Sequence, residues 1–351
     1  MEPGDPEAFV AAVLHHRFSS LAAEAIAAGT LRLPEDEAET LRDVAGIRAL
    51  STRALEAELA AVEPLIADAC GAAPLLVKGP AAARHHPDPA LRTFVDLDLL
   101  LPRETLGAAA EALGTHGYDR FVEFDTGFGE AHGHDVHVRR KVGIRNLDVE
   151  LHWRVGDDPL GEALSHDRLS AEAARMTVGG REVAVPSPPW ELLVFAFHLC
   201  SDRGKRLIWL RDLETAGRRA GDADWRETFE LARRHDLLWV LHRALDYVER
   251  HLGFHRERPL AAGPPPPWGP LRAVEELDAG ASIPNSSSSA AASDSTDRGS
   301  SSAFHSAAPA ALSRRKVSPS RSRTTVSPPT SSTIARSLRV TMELGSTTRS
   351  A

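Results

Sequence analysis

Two aspartates that are two residues apart give the sequence its sharpest chemical signal. Asp96 and Asp98 lie in FVDLDLLL, where acidic and apolar residues alternate. Because successive side chains of a β-strand point to opposite faces, both carboxylates are predicted to share one face while Val95, Leu97 and Leu99 enter the core. Adjacent anions repel each other, and Mg²⁺ bound together with substrate phosphates is the usual compensation. A solvated strand face is the alternative interpretation.

A second acidic strand supplies candidates for a third carboxylate. In NLDVELHW, the side chains of Asp148, Glu150 and His152 share one predicted face. If the two strands are neighbours in one sheet, a third acid could complete a two-metal site that orients phosphates and activates an attacking hydroxyl. The spacing leaves both Glu150 and Asp148 open as that acid, and a half-exposed hairpin strand is the alternative without a site.

A rare lysine lies ahead of both strands, at the end of the apolar run LLVKG. Lys78 is one of only three lysines in the first 259 residues. The glycine that follows it, Gly79, would let the backbone approach a phosphate closely, and the next helix would offer amide donors. Arg92 could add a bidentate contact to a phosphate or a carboxylate, or could be a surface arginine. These residues predict a phosphate-binding turn.

Histidines suggest two other kinds of metal site. The first is zinc at HGHDVH, whose histidines are His132, His134 and His137. We favour a polar loop and hairpin edge there, because no further ligand is close in sequence. The second is a His-Asp phosphohydrolase site, which would leave the acidic strands without a role. Its candidate ligands are His198, His235, Asp236 and Asp246. Asp212 is expected to serve helix packing or a salt bridge.

The elements that must position these residues form a central α+β module with helical flanks. Apolar spacing of three or four residues predicts a helical lead-in over 1–70 and helices again over 187–258. The core over 71–186 alternates strands and helices, with hairpins around KVGI and around Gly179-Gly180. Its strands are predicted at Pro74–Gly79, Phe94–Leu101, Arg120–Asp125, Asp135–Arg139, Asn146–Arg154 and Met176–Val185.

The last part of the sequence, 259–351, differs in composition from the rest. It opens with the polyproline-type segment GPPPPWGP and has 21 serines from Ala281 onward. Such a segment buries too little apolar surface to offset its ordering entropy, so disorder is expected. An out-of-frame C-terminus is the open alternative, which the intact protein mass would reveal.

Charge and composition exclude several classes of protein. The first 259 residues carry 31 Lys and Arg against 43 Asp and Glu, so they lack the positive field that non-specific DNA binding needs. No apolar run approaches the roughly 20 residues of a membrane span, and the N-terminus does not resemble a secretory signal. The two cysteines, Cys70 and Cys200, are too few for a disulfide framework and fit a reducing cytoplasm.

Taken in order, these motifs resemble the uncharacterised nucleotidyltransferase family of the polymerase-beta-like superfamily. The similar segments are LLVKG, LRTFVDLDLLLP, VELHWRV and the helical stretch FAFHLCSDRGKRLIWLRDLETAG. The resemblance implies a nucleotidyltransferase-like mixed β-sheet with helices. It also implies transfer of a nucleoside monophosphate from an NTP to a hydroxyl acceptor, with Mg²⁺ or Mn²⁺ as the cofactor and pyrophosphate as the product.

The resemblance also implies roles for single residues. Asp96 and Asp98 match the metal-binding pair and Glu150 the third acid. Lys78, Gly79 and Arg92 match the phosphate side of the site, and His198 matches the nucleotide side. One departure is Pro80, since proline removes an amide donor at the turn. A weak or inactive nucleotide-binding scaffold, and a toxin-like nucleotidyltransferase acting on tRNA or protein, therefore stay open. The acceptor is not specified and could be a small molecule, a peptide, a protein or an RNA.

Overall fold

The computed structural model describes residues 2–120, 134–143, 145–156 and 159–265. In these ranges the helices are α1 (Pro6–His15), α2 (Ser19–Ala27), α3 (Glu35–Cys70), α4 (Pro80–Ala83), α5 (Leu106–Gly114), α6 (His166–Ser170), α7 (Pro188–Ser201), α8 (Leu207–Arg219), α9 (Asp222–Arg234) and α10 (Leu238–Leu252). The strands are β1 (Leu75–Leu76), β2 (Asp96–Leu100), β3 (Asp119–Arg120), β4 (Asp135–Val142), β5 (Arg145–His152), β6 (Ala174–Val178) and β7 (Arg181–Val185). His132, most of the strand predicted over 120–125 and the tail from 266 lie outside the described residues.

The strands form one mixed sheet in the order β3-β4-β5-β2-β1-β7-β6. β2 pairs in parallel with β5, and β1 pairs in parallel with β7. The remaining neighbours, including both predicted hairpins, are antiparallel. The predicted α+β class with a mixed sheet is therefore confirmed, and the two acidic strands are direct neighbours.

One hydrophobic core lies between the sheet and the long helix α3. Leu55 and Leu59 of α3 pack in the same buried cluster as Leu97 of β2 and Val149 of β5. Since Leu97 alternates with Asp96 and Asp98, burying it against α3 turns the acidic side chains toward the opposite side of the sheet. The helix ends at Gly71, whose φ of 64° is the left-handed conformation that commonly terminates helices.

A second core joins the helical flanks. Apolar residues of α1 and α2 share a buried cluster with α7, α8, α9 and α10, with Phe18, Phe197, Trp225 and Phe229 among its largest members. Leu75 and Val77, in and directly after β1, also belong to this cluster. It therefore holds the N-terminal and C-terminal helices against the sheet near the end of β1, where Lys78 lies. In the described part of the chain, no helix has the length and apolar character needed to cross a membrane.

Candidate active site

A cavity of about 440 Å³ opens where the acidic strands meet the helical flanks. The residues that line it come from the turn after β1, from β2 and β5, from α7 and α8, and from the turn between α1 and α2. All seven site residues predicted from sequence are among them: Lys78, Gly79, Arg92, Asp96, Asp98, Glu150 and His198. The fold thus brings together motifs that are up to 120 residues apart.

The register of the parallel strands determines which acid of β5 faces the cavity beside Asp98. Asp98 lies opposite Glu150, and Asp96 lies opposite Asp148. Glu150 lines the cavity, whereas Asp148 does not. Asp148 instead accepts a hydrogen bond from Nε of Arg139 at 2.5 Å. Of the two acids that the spacing left open, Glu150 is therefore the one placed with Asp96 and Asp98.

Asp98 is the most deeply buried acid of the cavity, at 3% exposure. Its Oδ1 lies 2.6 Å from Nζ of Lys78 and 3.1 Å from Nε2 of His152. Although burial disfavours a charged carboxylate, Lys78 and His152 hold the pKa of Asp98 well below its usual value. Burial and Lys78 oppose a charge on His152, but its hydrogen bonds to Asp98 and Glu150 raise its pKa to about 9. Asp98 is therefore charged, with two cationic neighbours.

Asp96 has a different environment. Burial, and then the charges of Asp98 and Glu150, raise the pKa of Asp96 to about 6. The charges of two other carboxylates act on Asp96, which is the electrostatic situation that a bound cation relieves, although Asp96 belongs to none of the described groups of ligand atoms that lie within 4.8 Å of one another. The residues fit a divalent cation by this criterion and by their donor atoms, since carboxylate oxygens suit Mg²⁺ or Mn²⁺. Ligand atoms of Asp98, Glu150 and His152 lie within 4.8 Å of one another.

The histidines of HGHDVH that are described lie beside this group, contrary to expectation. Pairing of β4 with β5 places His137 opposite Glu150 and Asp135 opposite His152. Two further groups result in which the potential ligand atoms lie within 4.8 Å of one another. One group is His134, Asp135 and His152, and the other is Asp135, His137 and Glu150. Sequence reasoning missed Asp135 and the proximity of the histidines. The hairpin register was the signal that could have found them.

Arg92 lines the cavity, but its guanidinium is held by a carboxylate. Its Nε and Nη2 donate to the two oxygens of Asp212, each at 2.7 Å, and its Nη1 donates to the carbonyl of Thr93. Nε2 of His86 also lies 2.8 Å from Asp212. Arg92 and Asp212 are both about 95% buried. The salt bridge expected of Asp212 is thus present, and it joins α8 to the segment before β2.

The turn after β1 offers few amide donors to a phosphate. Gly79 has a φ of 54°, a backbone conformation that residues with a Cβ rarely adopt, so the turn depends on glycine. Pro80 begins α4 and has no amide proton. The next amide, of Ala81, already donates to the carbonyl of Lys78 at 3.0 Å. Pro80, the departure noted in the sequence, therefore leaves this turn with fewer amide donors for a phosphate.

His198 lies on the wall that α7 contributes to the cavity. Its Nδ1 is 3.2 Å from Asp202, and its ring meets Trp209 edge-on with centroids 4.8 Å apart. Burial keeps the pKa of His198 well below 6.5, so the imidazole is neutral. The phosphohydrolase alternative finds no support in the described residues, because their potential metal-binding groups include none of its ligands. His235 packs on Trp190 instead.

Comparison with known proteins identifies a family and one similar solved structure. The family model described as uncharacterised nucleotidyltransferase matches residues 2–253. A solved structure, an antigenic nucleotidyltransferase-like protein from Paracoccidioides brasiliensis, is similar with 19% identity and a TM-score of 0.33 over 54% of this chain and 92% of that one. No curated protein sequence matches the chain.

Proposed function

Because the chain belongs to the uncharacterised nucleotidyltransferase family, we propose that it is a metal-dependent enzyme that transfers a nucleoside monophosphate from an NTP to a hydroxyl acceptor. The observation that carries this proposal is the parallel pairing of β2 with β5, which sets Asp98 beside Glu150 and leaves Asp96 on the same face. Three carboxylates at one end of a cavity that also holds Lys78 suit an anionic, metal-bound substrate.

Asp96, Asp98 and Glu150 would hold Mg²⁺ or Mn²⁺. When bound, the cation neutralises charge at the phosphates and makes the acceptor oxygen a better nucleophile. That oxygen forms a bond to the α-phosphorus while the bond to the bridging oxygen of the β-phosphate breaks. Pyrophosphate leaves on the opposite side, and Glu150 accepts the hydroxyl proton. Lys78 and His152 keep Asp98 charged, so that this carboxylate enters the reaction as a ligand and not as an acid.

Binding and turnover measured in parallel test the proposal. Calorimetric titration with Mg-ATP, Mg-GTP, Mg-CTP and Mg-UTP should give binding of at least one nucleotide. Pyrophosphate release and label transfer from the α-labelled nucleotide should then occur once an acceptor is supplied from fractions of candidate acceptor classes. Asp98→Asn should lose turnover by orders of magnitude, because the metal contribution is several kcal/mol. Binding without release in every fraction would favour the inactive scaffold.

The choice of the third acid has its own test. Glu150→Gln should reduce turnover at least about a hundredfold, in the range of a lost acid-base or metal ligand. Asp148→Asn is the matched control, since it removes the neighbouring carboxylate that binds Arg139 outside the cavity. Its turnover should stay within a few-fold of wild type. Equal losses in both variants, or a larger loss in Asp148→Asn, would contradict the assignment of Glu150.

A further inference from the structure

The cations that the sequence offered for phosphate binding already have carboxylate partners. Nζ of Lys78 lies 2.6 Å from Asp98, and Arg92 is bound through two nitrogens to Asp212. The turn lacks an amide proton at Pro80. A nucleoside triphosphate carries about four negative charges, of which one divalent cation neutralises two. The remaining charge requires donors from elsewhere in the cavity.

Arginines from three separate elements supply such donors. Arg17, in the turn between α1 and α2, and Arg206, directly before α8, both line the cavity. Arg48 of α3 lies near enough to interact electrostatically with both of them. Lys205 is a fourth cation on the cavity wall. Among the residues that the structure describes, none of these four side chains forms an ion pair within 4.0 Å, although Asp202 on the same cavity wall interacts electrostatically with Lys205 and Arg206.

The arginines repel one another in this arrangement. Burial, and then the charge of Arg206, lower the pKa of Arg17 to about 10. Burial and Arg206 also lower the pKa of Arg48. Arg206 packs its guanidinium over the Trp209 ring at 5.4 Å, which holds it in place without neutralising it. Arg17 and Arg206 are partly buried guanidiniums on the cavity wall without an ion-pair partner, and an anion in the cavity would stabilise both, whereas Arg48 adds positive charge from outside the lining.

The backbone at Arg17 makes a glycine substitution a suitable test of this side chain. Its φ of 62° lies in the left-handed region, where a residue other than glycine costs roughly 1 kcal/mol. Glycine would fit this turn better, so the structure retains an arginine at a position that local conformation disfavours. Arg203 and Asp236 have the same conformation, and Arg17 differs from them because it lines the cavity. The Arg17 side chain lines the cavity and interacts electrostatically with Asp96.

We propose that Arg17 and Arg206, with Arg48 and Lys205 beside them, bind the β- and γ-phosphates of the nucleotide. The inference rests on the proposed function, because it supplies the leaving-group side of the same reaction. Charge-assisted bonds from guanidinium groups would stabilise pyrophosphate as it departs. The N-terminal helical lead-in then contributes a substrate-binding residue, in addition to its packing on the C-terminal helices.

Inorganic tripolyphosphate is the probe, titrated calorimetrically into the full chain without divalent metal. Wild type should bind it. Arg17→Gly should weaken binding about tenfold or more, since a hydrogen bond to a charged group contributes about 1.5–3 kcal/mol. The matched control is Arg203→Gly, which removes an arginine with a φ of 57° that is exposed and outside the cavity. The control should bind as wild type does.

Melting temperatures and a competition experiment show whether a loss of tripolyphosphate binding comes from the missing side chain or from a destabilised fold. Arg17→Gly relieves strain, so its melting temperature should equal or exceed that of wild type. An NTP should displace tripolyphosphate from wild type. The proposal is overturned if Arg17→Gly binds normally, if Arg203→Gly loses as much, or if no NTP competes, which would assign the anion to the acceptor. If the protein binds tripolyphosphate in competition with NTP but never releases pyrophosphate, the proposed enzymatic activity is wrong, whereas the proposed phosphate-binding site stands.

Discussion

At the scale of single residues, the three cavity carboxylates that the acidic strands contribute differ in what neutralises them. Asp98 has Lys78 and His152 within 3.1 Å, and Glu150 has His152 at 3.3 Å. Asp96 has no cation within 4.0 Å among the described side chains, and its pKa is raised to about 6. A cation bound between the strands would therefore stabilise Asp96 most, because that acid has no ion-pair partner and feels only the more distant charges of Lys78 and Arg17.

The buried pair Arg92 and Asp212 should behave as one unit. Arg92→Met leaves the Asp212 charge buried with His86 as its remaining partner, and should cost about 3–5 kcal/mol of unfolding free energy. Adding Asp212→Leu should recover part of that loss, because no buried charge then remains. Urea denaturation measures both. Arg233→Met, whose partner Glu230 is exposed, should cost less than about 1 kcal/mol. Strictly additive losses in the double variant would contradict the coupling.

At the scale of elements, the site depends on how two hairpins are attached to the sheet. The hairpin of β4 and β5 brings His137 to Glu150, and the parallel pairing of β5 with β2 brings Glu150 to Asp98. The hairpin of β6 and β7 contributes no residue to the cavity. It extends the other edge of the sheet and packs its turn on α3.

That packing makes one glycine of the second hairpin indispensable. A Cβ at Gly179 would lie 2.6 Å from the carbonyl oxygen of Glu56, and the residue has a φ of 57°. Gly179→Ala should therefore lose about 3 kcal/mol of unfolding free energy, from backbone strain and overpacking together. At Gly180, with a φ of 82°, a Cβ would meet nothing within 4 Å. Gly180→Ala should lose only about 1 kcal/mol in the same urea titration; equal losses would mean that the contact with α3 is unimportant.

The junction of α1 with α8 should make stability depend on pH. His16 is 5% exposed, and its Nδ1 accepts a hydrogen bond from the backbone amide of Leu207 at 3.3 Å. Burial, followed by the charges of His15 and Arg206, lowers the pKa of His16 from 6.5 to about 4. The folded state thus excludes a proton that the unfolded state binds, and stability present above pH 6.5 is lost as the pH falls toward 4.

The loss attributable to His16 is at most about 3 kcal/mol. His16→Asn retains an acceptor for the amide of Leu207 but does not titrate. Urea unfolding between pH 7 and pH 4 should therefore show a shallower fall in stability for this variant. His116→Asn, at an exposed histidine, should keep the slope of wild type. An unchanged slope in His16→Asn would show that other groups govern the acid response.

At the scale of the whole molecule, two cores meet at the cavity. One core joins the sheet to α3 and α5, and the other joins α1 and α2 to the C-terminal helices. The carboxylates lie on strands of the first, whereas Arg17, His198 and Arg206 lie on or directly beside helices of the second. Substrate held between them would contact both, so its binding should stabilise the packing of one core on the other.

Two truncations test how much of the chain this architecture needs. In the described part, Leu260 packs on the helical core, and its carbonyl accepts from His242 at 2.8 Å. Arg258 pairs with Asp246 and Glu249 of α10. A chain ending after Pro265 should keep the melting temperature of the full chain. A chain ending after His255 should melt several degrees lower, since about 2 kcal/mol corresponds to roughly 4–8 °C at this size. Equal melting temperatures for both truncations would contradict these contacts.

The sequence by itself determined the strand faces and the order of the motifs. Alternation in FVDLDLLL separates Asp96 and Asp98 from Leu97, because a strand has a period of two whatever surrounds it. Both hairpins and the helical flanks followed from equally local patterns, whereas the mixed sheet was implied by the family resemblance. The family was recognisable for the same reason, since its motifs are short and contiguous.

Only the tertiary structure decided which groups meet across long separations. Arg92 and Asp212 are 120 residues apart, and spacing left both a phosphate and a carboxylate open as the partner of Arg92. The choice of Glu150 over Asp148 required the register of β5 on β2. Arg17 lies in a turn without a recognisable motif, so its position at the cavity depends on how α1 and α2 pack on the C-terminal helices. Pairings of this kind are set by the burial of whole elements, which no local pattern encodes.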